Sequence, residues 1–584
     1  MQINLKSALH DILMQKSVVY ILFFIISFSL SARKTTVTTA SSINNGNWAA
    51  GDTIVMRNGT WTNQTISLTA NGNAANPVVL QAETAGLVIL NGTSRLSIGG
   101  SYIVVSGLYF LNGTLSGNAV VEFRTGVNAS NCILKNSAIV SYNPSDNTVD
   151  SKWVSLYGQN NTVDHCSFEN KTNSGTLLVV WLTSGVTVNH IISNNYFGYR
   201  NSNLDADGNE LNGQEIIRVG DSSTSMTTAG VTVSGNYFER CNGEIETISN
   251  KSCGNLYTNN LFYECHGMLT LRHGNSCTVA GNYFFGNGVS ESGGVRIIGE
   301  NHKVYNNYFE NLRGTNYRSA LCMVRGKENS ALNEYFQVKN ALVAFNTMVN
   351  CSQAFSINYN SSSSLTLPPI NSVIAHNHVY NTSSTYNNVT IDQNSVSAMT
   401  VTWKNNLMNQ GKYSNFSYNS TQVITGVDAK MSLAGTRINM YEPGASTLLT
   451  NYNTAEYNEI TNDIRGRSRI ASAKMPGASD LNGSVSISMP EKKLVGAAFF
   501  NNPSTGTDHT LIKSDITTVK ISNKNIQFKS ENEGDITILK LNGTIICKMN
   551  IEPEVYYNRT LENGIYLLVF NGINITETKK IIII

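Results

Sequence analysis

An asparagine followed by two apolar residues returns through the middle of this chain, and it limits the fold more than any other feature. It reads Asn195-Tyr196-Phe197, Asn236-Tyr237-Phe238, Asn260-Leu261-Phe262, Asn282-Tyr283-Phe284 and Asn307-Tyr308-Phe309, with looser copies at Asn346, Asn377 and Asn406. The close spacings are 24, 22 and 25 residues, and the wider ones fit one repeat plus a loop insertion. Between copies lie short runs rich in Val, Ile, Thr and Tyr, broken by Asn/Gly turns. Amphipathic helical periodicity is almost missing, and so is the leucine spacing of leucine-rich repeats. A repeat of this length made of short strands predicts an all-β chain, a parallel β-helix in which each coil adds two or three strands. Equivalent residues then stack about 4.8 Å apart. Asparagine suits the turns because it tolerates left-handed backbone and bonds to nearby backbone groups. Repeated at one turn, it can also form a side-chain ladder.

The pattern begins near Thr35 and fades near residue 480, which predicts a solenoid over residues 33–484. Residues 485–514 read as a linker. Residues 515–584 hold short alternating strands, among them Ile536-Thr537-Ile538-Leu539 and Gly564-Ile565-Tyr566-Leu567-Leu568, and predict a small β-sandwich. At the other end, Lys6 and Lys16 precede the apolar run Val18 to Ile26, and Ser29, Ser31 and Ala32 supply small residues for cleavage. That run is short for a membrane span, so residues 1–32 read as an export signal, and the mature protein is expected outside the cell or at its surface. No later segment reads as a span.

With 41% hydrophobic and 14% charged residues the chain is not a disordered one. Its net charge of +2 excludes a general nucleic-acid binder, yet leaves room for a local basic groove. Nine cysteines cannot all pair within one chain. Cys241 and Cys265, like Cys253 and Cys277, lie 24 residues apart and read as small buried residues at equivalent places in the repeat. No CxxC metal pattern is present.

The segment Gly243-Glu244-Ile245-Glu246-Thr247-Ile248-Ser249-Asn250-Lys251 carries the most pointed chemistry. Residues two apart on a strand share a face, so Glu244 and Glu246 point the same way. Two adjacent carboxylates are either solvated or joined by a cation. A hard divalent ion with oxygen ligands, calcium first, answers the second case. Arg272 lies 21 residues beyond Lys251, and Arg296 lies 24 beyond Arg272, about one coil each. Stacking would set these cations beside the carboxylate pair. The alternatives are a chance row of surface charges or a site for an anionic sugar.

Three motifs resemble polysaccharide lyase family 6, which contains alginate lyases and chondroitinase B: Asn212-Gly213-Gln214-Glu215-Ile216-Ile217-Arg218-Val219-Gly220, then Glu244-Ile245-Glu246 with Lys251, then Arg272-His273-Gly274. Weaker likeness covers most of residues 35–480. The resemblance implies a right-handed parallel β-helix. It implies Asn212, Glu244 and Glu246 as calcium ligands, Lys251 as general base and Arg272 as general acid. Lys171 resembles a family position in the cleft, and Arg218, His273, Arg296 and Arg318 are further candidates for contact with substrate carboxylates; His273 could instead orient Arg272. The implied reaction is β-elimination on a uronate polymer. A cation on the C5 carboxylate stabilises the enolate-like transition state, a base removes the C5 proton, and a donor assists departure of the O4 oxygen. A lysine serves as base only when neutral, a state that neighbouring cations favour.

Gly293-Gly294-Val295-Arg296-Ile297-Ile298-Gly299 looks more like the alginate lyases, because the chondroitinase branch has an aromatic where Ile298 stands. Alginate is therefore the expected substrate and dermatan sulfate the alternative. A β-helix glycoside hydrolase would need a group of catalytic acids instead. A non-catalytic polysaccharide-binding solenoid would need no base. Finally, Leu541-Asn542-Gly543 and Asn563-Gly564-Ile565-Tyr566 resemble C-terminal sorting domains of Bacteroidota secreted proteins, which implies a bacterial source.

Overall fold

A computed structural model describes residues 32–501, except 116, 205–206, 209, 393–397, 428, 435–439 and 445–451, together with the strands of 516–583. In that second stretch 523–524, 531–533, 541–543, 553–555, 563 and 573–575 are left out. The export signal read at residues 1–32 lies outside the described residues, save Ala32 at its end, and so do Leu541, Asn542, Gly543 and Asn563 of the sorting-domain resemblance.

Among the described residues, three sheets of 14 strands wind in parallel around one axis. This is the parallel β-helix that the repeat predicts. Each coil contributes one strand to each sheet, and successive coils pair in register, as Tyr237↔Leu261 and Leu261↔Tyr283 do. The repeat's asparagine is fully buried. The backbone N–H of Asn236 donates to Oδ1 of Asn260 at 3.1 Å, that of Asn260 to Asn282 at 3.0 Å, and that of Asn282 to Asn307 at 3.0 Å. The ladder continues through Asn346, Asn377 and Asn406. The left-handed backbone belongs to the residue before it, including Asn194 (φ 53°), Asn259 (φ 51°) and Asn306 (φ 55°). Two jobs expected of one asparagine thus fall to neighbours: one residue makes the turn, and the next satisfies the buried backbone of the adjoining coil. The phenylalanines point inward and stack, with centroids 4.9 Å apart for Phe197–Phe238, 4.8 Å for Phe238–Phe262 and 4.5 Å for Phe262–Phe284. Each such pair contributes ~1 kcal/mol beyond its burial. Cys241 and Cys265 hold equivalent interior places, where their thiols donate to the carbonyls of Phe197 and Phe238.

The tyrosines of the repeat point out of the helix, yet Tyr196, Tyr283 and Tyr308 are buried. What covers them is the chain beyond the coils. The last paired coil strand is Val423–Ile424, well before residue 484. The described residues from Met440 to Gly444 and from Tyr452 to Phe500 lie along the outside of that sheet. Met440, Ile464, Ala478 and Val495 cover the tyrosines. Tyr441 N donates to Tyr308 Oη at 2.8 Å, and Ala497 N to Ser167 Oγ at 2.9 Å. Residues 491–500 of the stretch read as a linker belong to this strap, because an apolar row on the outer face needs a cover.

Residues 504–584 form a separate compact unit. Its strands make a three-stranded and a four-stranded antiparallel sheet, the pair that a small sandwich requires. Among the described residues of this unit, Ile536 and Ile538, two apart on one strand, are fully buried.

Candidate active site

The site lies on the outer face of one sheet, where the strands Ile217–Val219, Glu246–Lys251, Met268–His273 and Val295–Ile297 adjoin. Register between the second and third is interrupted twice. Glu246 pairs with Met268 but Ile248 with Leu269, and Asn250 pairs with Leu271 but Lys251 with His273. The extra residues are Thr247 on one strand and Arg272 on the other. Such irregularities re-aim side chains, and here they turn Lys251 and Arg272 toward one cavity. Asn250 fixes the second: its Nδ2 donates to the carbonyls of Ser252 and His273, both at 2.9 Å, and its Oδ1 accepts from Tyr257 Oη at 2.7 Å.

That cavity measures about 460 Å³, and its walls include Asn212, Glu244, Glu246, Lys251, Arg272, His273, Arg296 and Tyr335. Glu215, Glu244 and Glu246 each present an oxygen, and these oxygens lie within 4.8 Å of one another. All three are buried. The backbone N–H groups of Gly213 and Gln214 donate to Glu244 Oε2 at 2.8 and 3.2 Å. Thr176 Oγ1 donates to Glu215 at 2.7 Å. Glu246 accepts from Ser249 Oγ and from Arg296 Nη2. Burial first, then the charges of Glu215 and Glu246, push the Glu244 carboxyl up to about 8. Three carboxylates at this separation suit a hard divalent cation.

Lys251 stands at the edge of this cluster, its Nζ 3.7 Å from Glu215 Oε1. Arg272 meets no carboxylate among the described residues. Its Nη1 donates to the Glu334 carbonyl at 3.0 Å, and its guanidinium lies 4.3 Å from the centre of the Tyr335 ring. Burial pulls its pKa below the ordinary arginine value. His273 has Nδ1 facing Arg272 Nη1 at 3.5 Å and Nε2 facing Ser222 Oγ at 3.2 Å. Burial, with Arg272 and Lys251 nearby, pushes its pKa down to about 3, so the ring is neutral.

Of the ten residues singled out in the sequence, seven line the cavity, namely Asn212, Glu244, Glu246, Lys251, Arg272, His273 and Arg296, while Arg218 stands on the adjoining strand Ile217–Val219. Asn212 is exposed on its wall. The third buried carboxylate is Glu215, which stands in the quoted motif but was not singled out. Arg296 is paired with Glu246, and Arg318 is held between Glu210 at 3.1 Å and Glu291 at 3.3 Å. Lys171 is a correction. It is 0% exposed, and its ammonium donates inward to the Asn173 carbonyl, Asn173 Oδ1 and the Ser174 carbonyl at 2.8–3.0 Å. It braces the interior and offers nothing to a polymer, because all three of its donors are used.

The chondroitinase B family model matches residues 35–458, most of the solenoid. The chain belongs to polysaccharide lyase family 6, the chondroitinase B family. Solved structures of that family agree. A family 6 alginate lyase, AlyGC, is 34% identical over 71% of this chain and 55% of its own, with a TM-score of 0.64. A mannuronic acid specific family 6 lyase from human gut microbiota is 29% identical over 68% of this chain and 92% of its own, with a TM-score of 0.60. A family 6 polysaccharide lyase from Pseudopedobacter saltans is 26% identical over 79% of this chain and 99% of its own, with a TM-score of 0.56. The chain thus spans little more than half of AlyGC. No curated protein matches it.

Proposed function

We propose that this family 6 protein cleaves a uronate polymer by β-elimination, alginate before dermatan sulfate, with Lys251 as base and Arg272 as the group facing the leaving oxygen. The observation that carries the reading is one cavity lined by Glu244 and Glu246 of a buried three-carboxylate cluster, by a lysine at the cluster's edge and by an arginine that meets no carboxylate among the described residues. Glu215, Glu244 and Glu246 would hold a divalent cation, calcium first, with Asn212 on the same wall, and the bound ion would supply positive charge where the substrate carboxylate gathers electrons.

The chain's own groups divide the remaining work. Lys251 Nζ accepts the C5 proton, the C5–H electrons form the C4=C5 bond, and the C4–O4 bond breaks. Arg272 donates a hydrogen bond to the departing O4, and solvent completes its protonation, since an arginine is a weak acid. His273 is neutral and serves as an acceptor that orients Arg272. Tyr335 and the Glu334 carbonyl hold the guanidinium from the other side. Arg296 counters Glu246, and Arg218 is the cation left for substrate.

The alginate reading draws support from the alginate lyases among the solved relatives. It also fits the export signal expected at the N-terminus. Incubation with alginate, dermatan sulfate and pectin, with and without a chelator, tests it through the ultraviolet absorbance of the unsaturated product. Chelator-sensitive absorbance with alginate is expected. Absorbance with dermatan sulfate alone would move the substrate to the alternative, and none with any polymer would refute the reaction.

A further inference from the structure

The same sheet face carries a feature the reaction does not use. Leu156 pairs with Val180, Val180 with Val219, and Val219 with Asn250. Tyr157, Trp181, Gly220 and Lys251, the residues that follow these four, therefore hold one outward position on four successive coils. The Tyr157 and Trp181 rings are stacked, 5.9 Å between centroids and 13° between planes. Arg124 caps the Tyr157 end, its guanidinium 3.8 Å from the ring centre. Arg218 caps the Trp181 end at 5.4 Å. The result is a row of cation, ring, ring, cation pointing toward the catalytic lysine. Trp181 is itself pinned, because its Nε1 donates to Ser155 Oγ at 3.2 Å.

Next in that row comes Gly220, which carries no side chain. Gly220 has φ +80°, and a Cβ there would fall 2.6 Å from the Lys251 carbonyl oxygen and 2.9 Å from Leu182 Cδ1, so only glycine fits. Arg218, two residues before it, stands in register with Ser249, the residue that bonds to Glu246. Its counterpart Arg296 is already neutralised by Glu246. Arg218 meets no acidic group among the described residues, and its Nε is buried with no acceptor. A guanidinium that has lost water at one nitrogen without gaining a partner favours an anion. Stacking on an aromatic face leaves its N–H edge free to bind one.

We propose that Arg218 holds the carboxylate of a uronate next to the one that reacts, and that Trp181, backed by Tyr157 and Arg124, is the positioning residue that fixes Arg218 beside the carboxylate cluster. This deepens the lyase reading and rests on it. One coil advances about 4.8 Å, close to one unit of a 1,4-linked polyuronate, so adjacent sugars reach adjacent coils.

Steady-state kinetics on polymannuronate test the proposal with Arg218→Ala, Trp181→Ala, Trp181→Phe and the double alanine variant. Arg218→Ala is expected to raise KM roughly 10-fold, the size of a lost charge-assisted contact, with a smaller change in kcat. Trp181→Ala raises KM in the same direction, Trp181→Phe restores most of it, and the double variant is no worse than Arg218→Ala, because the ring acts through the arginine. Additive effects, or an unchanged KM in Arg218→Ala, would overturn it. Equilibrium binding of polymannuronate to the same variants separates the two readings. If wild type binds but does not cut, the same pattern in Kd upholds the subsite while the reaction reading fails; a flat pattern overturns the subsite alone.

Discussion

Replacing Glu215 by glutamine tests the metal cluster through a property that needs no substrate. In the metal-free protein Glu244 is 5% exposed, and burial with Glu215 and Glu246 beside it raises its pKa from 4.5 to about 8. The folded state therefore holds this proton more tightly than the unfolded chain, whose glutamates titrate near pH ~4.3. Stability from this source is complete below that value and is lost as pH climbs toward 8. By pH 7 the loss amounts to about 3 kcal/mol. A divalent cation competes with the proton and removes the repulsion, so it restores what was lost. Thermal melts of the full chain are expected to show a metal-free Tm that falls by a few degrees from pH 5 to pH 8, and a calcium-induced rise that is larger at pH 8. Glu215→Gln removes one of the two neighbouring charges; its metal-free Tm should fall less with pH, and calcium should raise it less. A metal-free Tm that is flat between pH 5 and 8, or a full calcium response in Glu215→Gln, would refute the cluster as a cation site.

Arg272→Ala should lower kcat by ~10²-fold or more with a smaller effect on KM, measured by initial rates on alginate. Lys171→Met leaves three interior oxygens without their donor and should destabilise the solenoid by about 3 kcal/mol in urea unfolding, while KM stays near the wild-type value. Asn260→Ala breaks the ladder, depriving the Asn236 N–H and Nδ2 of their acceptor and the Val233 carbonyl of its donor. It should cost about 2–3 kcal/mol by the same assay.

The helix was legible because a solenoid repeats its demands. The middle coils ask for one buried asparagine and one stacked phenylalanine, and Asn195 to Phe309 answer at each turn. The outward tyrosine was also in the repeat, and an aromatic on the outer face at nearly every coil implies a cover. The described residues of that cover, between Met440 and Phe500, have no repeat of their own, because they cross the coils instead of joining them. That Lys251 and Arg272 would line one cavity was legible for the same reason as the ladders, since the two residues stand about one coil apart. Glu215 was not. It lies just ahead of its strand, after a loop, and meets Glu244 only through the register Ile217↔Ile248 on the next coil. Lys171 misled because resemblance to a cleft position says nothing of packing, which alone reveals that Asn173 and Ser174 satisfy it from inside.

The central claim is elimination at a uronate by Lys251, and the masses of the products test it most directly. Elimination yields new chain ends that carry a C4=C5 double bond, each lighter by one water than the corresponding product of hydrolysis. Mass spectrometry of alginate digested by the wild-type protein should show the unsaturated series as the main products, with saturated oligomers only from the original non-reducing end of each polymer, and Lys251→Ala should release no unsaturated series. A saturated series as the main product of the wild-type protein, or an unsaturated series that persists in Lys251→Ala, would contradict the account.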